Sequence, residues 1–229
     1  MLAARLTFDY HMIPELPTIE QAEKDVRAAD ETIDYFKKNG VRVVNMSWGG
    51  SLRSVEDALE QHNAGGTPEE RKALARKIYN IMHKGLFDAI KNAPDILFIT
   101  SAGNANSDVV FEEFFPSSFD LPNMLSVGAV DQAGDETSFT SFGKVDIYGN
   151  GFEVMSYVPG GDELKLSGTS MSSPEVTNLA GKLLAKKPNL TVAQLRHLIL
   201  DSADKKQAGE RTVKLMNPKR SMEMLAEIK

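Results

Sequence analysis

Three short runs of largely branched apolar residues stand out along the chain: VRVVNM at 41–46, ILFIT at 96–100 and MLSVGAV at 124–130. Apolar residues at successive positions predict strands covered on both faces, as in a parallel sheet. Elsewhere the apolar positions recur at helical spacing. Leu74, Ile78, Ile81 and Met82 share one face of a helix predicted over 67–92, opened by the capping box Thr67-Pro68-Glu69-Glu70 with proline at the first helical position. Further helices are predicted over 19–38, ended by Asn39-Gly40, over 171–186, and over 191–203 with Val192, Leu195, Leu198 and Ile199 on one face. Leu2 to Phe8 is a fourth strand candidate, and 139–166, dotted with glycines, reads as loops and short strands. Strands alternating with helices predict an α/β fold with a mainly parallel sheet.

No linker divides the 229 residues, so they are read as one domain. Hydrophobic residues at 41% and charged residues at 25% exclude a fibrous or wholly disordered chain. The net charge of −6, spread without a basic stripe, argues against nucleic acid as a partner. Without cysteine there is no disulfide, thiol nucleophile or thiolate metal site. No run approaches the ~18 apolar residues of a membrane span, and residues 1–10 lack a signal-peptide pattern, so a soluble, mature or truncated chain is expected.

Candidate chemistry sits at Ser167-Gly168-Thr169-Ser170-Met171-Ser172-Ser173-Pro174, a glycine turn running into a helix. A serine at a helix N-terminus meets unpaired N–H groups and the positive end of the helix dipole, which favour developing negative charge. That suits acyl transfer, with the Ser170 hydroxyl attacking a carbonyl and backbone N–H groups holding the oxyanion. The same residues also read as an ordinary helix cap. A strained nucleophile elbow is excluded, since no second glycine follows Ser170 at the required spacing.

Other segments narrow the choice. Val43-Val44-Asn45-Met46-Ser47-Trp48-Gly49-Gly50, Ile99-Thr100-Ser101-Ala102-Gly103-Asn104, Phe115-Pro116-Ser117-Ser118, Ser126 to Asp131, Thr137 to Gly143, Pro188 to Thr191 with Gln194-Leu195-Arg196, and Leu215 to Pro218 follow one another in the order of the subtilisin-like serine peptidases, the subtilases. The chain resembles that family from near its first residue to near its last. The resemblance implies a doubly wound α/β fold, Ser170 as nucleophile and Asn104 as oxyanion donor. It also implies a polypeptide substrate bound along Ser47, Trp48 and Gly49 on one side and Ser101, Ala102 and Gly103 on the other. An asparagine suits the donor role because its amide does not titrate, and it separates this chain from the sedolisins, which place an aspartate there. No cofactor is implied. No dense oxygen-ligand loop is recognisable, so no metal is assigned.

The departures are as informative. Subtilases carry their acid in an Asp-Thr/Ser-Gly turn and their base in a His-Gly-Thr-His helix, and neither motif occurs here. Of the four histidines, His83 and His197 fall on predicted helices and His62 in a polar loop. Asp9 and His11, two apart on a candidate strand, would share a face but read more readily as cleft-lining. The expectation is therefore the C-terminal two-thirds of a subtilase catalytic domain, inactive alone, with acid and base on a missing N-terminal segment. Residues 52–84 are expected to be a helical insertion, and Tyr148-Gly149-Asn150-Gly151 to keep a turn where the family has Ala-Pro-Gly. The acid-bearing strand of the family lies mid-sheet, so its absence is expected to leave strand edges through which the chain dimerises. A non-catalytic peptide-binding module is the alternative. The resemblance favours an extracytoplasmic or secreted location.

Overall fold

The computed structural model describes residues 1–4 and 16–228. Asp9, His11 and most of the strand expected at Leu2 to Phe8 fall outside them. In chain order the elements are α1 (Ile19–Lys38), β1 (Val43–Met46), α2 (Leu52–Gln61), α3 (Pro68–Lys91), β2 (Leu97–Ser101), β3 (Met124–Val130), β4 (Ile147–Asn150), β5 (Val154–Tyr157), β6 (Glu163–Leu166), α4 (Thr169–Lys186), α5 (Val192–Leu200), β7 (Asp204–Ala208), β8 (Arg211–Leu215) and α6 (Pro218–Glu227).

Six strands form one sheet in the order β1-β2-β3-β4-β8-β7. Strands β1 to β4 and β8 are parallel, and β7 returns antiparallel beside β8. Successive side chains of a strand point to opposite faces, and both faces are covered. Phe98 and Met124 enter a cluster with α1, α2 and α3, in which Ala22, Ile33, Val55, Leu59 and Ile78 are buried. Their neighbours Leu97, Ile99, Leu125 and Val127 enter the other cluster with α4, α5 and α6, through Val176, Leu179, Leu183, Leu195 and Leu225. This two-sided burial makes the strand sequences read as continuous apolar runs, and the architecture is the doubly wound α/β fold expected.

Local chemistry explains the helix limits. The Thr67 hydroxyl accepts the Glu70 N–H while the Glu70 carboxylate accepts the Thr67 N–H, so α3 opens on the capping box read from the sequence. Helix α2 opens on Ser51 and Ser54, which cap each other in the same reciprocal way. A serine replaces the usual Glu or Gln there, so the box was not legible. Helix α4 begins at Thr169, two residues before the expected start, which puts Ser170 in its first turn. The turn expected at 148–151 is displaced. Tyr148 to Asn150 complete β4, and the chain bends only after it, where the Asn150 carboxamide oxygen accepts the Phe152 N–H at 3.2 Å. The β5–β6 hairpin packs into neither cluster and leaves Met155, Tyr157, Leu164 and Leu166 exposed.

Candidate functional site

Parallel strands deliver their C-terminal ends to one side of the sheet, where ligand sites of open α/β folds form. Three segments meet there: Ser47 to Gly50 after β1, Ala102 to Asn104 after β2, and the first turn of α4.

Thr169 joins the last two. Its N–H and its hydroxyl both donate to the Asn104 carboxamide oxygen, at 2.8 and 2.9 Å, and its hydroxyl accepts the Gly103 N–H at 3.1 Å. A backbone N–H can only donate, so the atom facing it is the amide oxygen, and the Asn104 Nδ2 group is turned away as a free-facing donor. Asn104 itself is exposed, while Thr169 is buried. Gly168 is required by this closeness, since a Cβ there would stand 3.1 Å from the Asn104 Nδ2.

Ser170, half-buried, is tied to the first segment. Its hydroxyl donates to the Ser47 carbonyl at 3.3 Å, and its own carbonyl accepts the Ser47 hydroxyl at 2.9 Å. That second bond exists because Pro174, four residues on, has no N–H to offer the Ser170 carbonyl. Behind it, the Asn45 amide donates to the Ser47 hydroxyl at 2.9 Å, and its oxygen accepts from Ser173 (2.8 Å) and Thr177 (3.2 Å) on α4. The cap residue Gly168 offers α4 no side-chain acceptor; in the first turn Asn104 takes the Thr169 N–H and the Gly168 carbonyl takes the Met171 N–H, which leaves the Ser170 N–H between them at the site. The structure thus brings Ser170 and Asn104 to adjoining positions. Sequence reasoning missed Thr169 and Asn45. A hydroxyl directly before the candidate nucleophile was a usable signal for the first; for Asn45, a lone polar residue in an apolar strand was the only one.

The remaining expected residues lie at the ends of β1 and β2, on either side of a gap that the Phe114 ring enters. Ala102 donates its N–H to the Val127 carbonyl and accepts from the Ser117 hydroxyl; Gly103 accepts from the Ser141 N–H. With Gly103 also bonded to Thr169, these backbone groups are tied to β3, to Ser117 and Ser141 and to the start of α4. Ser101 is buried at the end of β2. On the other side Gly50 exchanges both backbone hydrogen bonds with Phe115, at 2.8 and 2.9 Å, and Trp48 is 37% exposed, which sets it outside the core. The Phe114 ring stands between the two walls. A Cβ at Gly49 would lie 2.6 Å from its Cε1, and one at Gly103 would lie 3.4 Å from the same atom.

Each described histidine has its own setting. His83 packs edge-on against Phe115 and Phe119 and beside Tyr79, and burial pulls its pKa down, partly opposed by Glu113. His197 meets Asp201 one turn later on α5, and His62 caps the end of α2. Below the site, Glu175 accepts the Asn150 N–H at 3.0 Å, and its carboxyl is pushed up by burial against the opposing effect of that bond. No cluster of three or more metal-ligating acidic or histidine side chains occurs among the described residues.

The chain is 30% identical over 173 residues to subtilisin DY of Bacillus licheniformis, covering 75% of this chain and 53% of that protein. It is 30% identical over 166 residues to the thermophilic serine proteinase of Bacillus sp. (strain AK1), covering 72% and 39% respectively. It therefore spans about half the length, or less, of these relatives. Among solved structures, the prenylagaramide maturation protease PagA superposes with a TM-score of 0.63 at 22% identity, over 87% of this chain and 67% of that one. A cold-adapted subtilisin-like serine proteinase superposes with a TM-score of 0.58 at 23% identity, over 83% and 60%. These two share the fold. Residues 16–216 match the family described as the subtilase family, and with that match spanning most of its length the chain belongs to the subtilases.

Proposed function

We propose that this chain is the nucleophile-bearing part of a subtilisin-like serine endopeptidase, and that it requires a base and acid from polypeptide outside its 229 residues. Ser170 Oγ attacks the peptide carbonyl and its proton passes to the base. The Asn104 Nδ2 group and the Ser170 backbone N–H hold the oxyanion. The C–N bond then breaks, the base returns the proton to the leaving amine, and water hydrolyses the Ser170 ester by the same route. The Thr169 interlock carries this reading, because it engages the oxygen end of a neutral amide at the residue next to Ser170 and leaves the amide's N–H end as a donor. His83 and His197 support the need for an outside base, being committed to an aromatic cluster and to Asp201. A polypeptide is the substrate, and the family's location outside the cytoplasm is inferred with it. Strand β1, partnered on one side alone among the described residues, is where the added polypeptide or a second copy pairs.

A serine-directed phosphonylating probe tests this. In a parent protein carrying the family's Asp and His motifs it labels Ser170, and Ser170→Ala abolishes labelling and peptide hydrolysis. The 229-residue chain alone hydrolyses peptides no better than the roughly 10³- to 10⁴-fold over water left by an oxyanion hole and binding groups. Rapid labelling of the lone chain that is lost in His11→Ala would reassign acid and base to Asp9 and His11. A parent that binds peptides but never labels would be a binding module.

A further inference from the structure

The gap beside Ser170 has a feature that the proposed chemistry does not use. We propose that Phe114 limits its depth, so that the residue donating the scissile carbonyl must carry a small side chain such as glycine, alanine or serine. This deepens the proteolytic reading and rests on it.

The geometry follows from where the carbonyl must sit. Its carbon has to reach Ser170 Oγ, which lies against the Ser47 carbonyl, and its oxygen has to face the amide of Asn104. The residue bearing that carbonyl is then suspended over the ends of β1 and β2, with α4 on one side and the gap between Ser47 to Gly49 and Gly103 on the other. Its side chain points into that gap. The Phe114 ring already occupies the space. Its Cε1 and Cζ stand 2.6 and 2.8 Å from where a Cβ at Gly49 would be, and its Cε1 and Cδ1 stand 3.4 and 3.6 Å from one at Gly103. Glycine on both walls is what admits the ring.

Phe114 is also held there. Its N–H donates to the Val109 carbonyl at 2.8 Å, and its carbonyl accepts from the Ser118 N–H and the Ser117 hydroxyl. The next residue pairs with Gly50 in both directions. The residue before Phe114, Glu113, has φ 50, in the left-handed region that favours glycine or asparagine, and is clamped by α3. Arg76 grips its carboxylate through two bonds of 2.5 and 2.7 Å, and Tyr79 donates to its carbonyl at 2.8 Å. Helix α3 thus positions the plug from outside the gap, since the anchored backbone on both sides of Phe114 fixes where its Cα stands relative to Gly49 and Gly103.

The test is a set of peptide boronic acids that differ only in the side chain beside boron, titrated into the parent protein that supplies the base and acid, with the Ser170 and Asn104 amide signals followed by NMR. The alanine and glycine analogues are expected to bind at least tenfold more tightly than the leucine and phenylalanine analogues, since one or two methylenes already separate ligands by about 10- to 200-fold in a fitted pocket. In Phe114→Ala the order reverses, and in Arg76→Ala, which leaves the ring but removes the clamp, the preference shrinks without loss of the alanine analogue. Equal binding of alanine and phenylalanine analogues at Ser170 in the wild-type parent would overturn the size limit and leave the proteolytic reading standing. Preference unchanged in a folded Phe114→Ala would do the same. Failure of every analogue to perturb Ser170 would overturn the proteolytic reading, and this inference with it.

Discussion

Strands β3 and β1 run parallel in one sheet with a single strand between them, yet β3 is buried along its whole length and β1 only at Met46. The contrast separates two tasks. Strand β3 contributes packing: Leu125 and Val127 meet α4 and α5, while Met124 meets the helices opposite. Strand β1 keeps Val43 and Val44 half-covered and spends Asn45, exposed, on hydrogen bonds to Ser47, Ser173 and Thr177. The sheet centre holds the fold, and its edge orients the site.

Four measurements would sharpen or break that contrast. The largest effect is expected from Leu125→Ala, which empties a fully buried position and should lower unfolding free energy by about 2–5 kcal/mol in a urea titration, against about 1 kcal/mol for the half-covered Val44→Ala. Equal costs would mean that the edge is as tightly packed as the centre. Next, Thr169→Val keeps the shape of the residue but strands the Gly103 N–H and leaves the Asn104 oxygen with the residue 169 N–H as its one remaining donor, at about 1–3 kcal/mol. Its amide exchange at Gly103 should quicken while that of β3 stays unchanged.

A smaller, pH-dependent effect is expected at Glu175. Burial raises its carboxyl pKa, so the folded state holds the proton more tightly than the unfolded state, and stability falls as pH rises from the ordinary carboxyl range through the raised folded value. Glu175→Gln retains an acceptor for the Asn150 N–H and removes that fall. Its melting temperature should exceed that of the wild type near neutral pH, with no gain at about pH 3.5, where both carboxyl states of the wild type are protonated. A gain equal at both pH values would show that shape, not charge, is responsible. The smallest effect belongs to the hairpin: Tyr157→Ser, at a position 73% exposed, should change stability by less than about 0.5 kcal/mol. A larger loss would show that the β5–β6 face is covered in solution.

Much of the fold was legible because its centre is apolar on both faces. The run at 124–130 coincides with β3, and the run at 96–100 differs from β2 by one residue at each end. The limits of α1 follow from Thr18 and Asn39, whose side chains and backbone close the two ends. The elements with weaker signals are α2, expected only as an unbounded part of a helical stretch over 52–84, and the β7–β8 hairpin and α6, which were not expected at all. Helix α2 uses a serine pair as its capping box, and β7 is DKKQA, a polar ribbon stabilised by its partner strand rather than by burial. That Ser170 and Asn104 adjoin was legible through the order of several family-like segments, since either motif alone reads equally as a helix cap or a turn. Thr169 and Phe114 act through space on residues 65 or so positions away, and no local pattern carries that information.

The Thr169 latch also sets a timetable. Asn104 and Thr169 are 65 residues apart, so at roughly 5–20 residues per second of synthesis several seconds separate their emergence from a ribosome. Until the later residue arrives, the carboxamide at the end of β2 has nothing to orient it, and the nascent chain has no serine beside it. The site is therefore joined only once α4 emerges, with β7 and β8 of the same sheet still to come, and a chain interrupted before residue 169 has the end of β2 without the latch that orients its carboxamide.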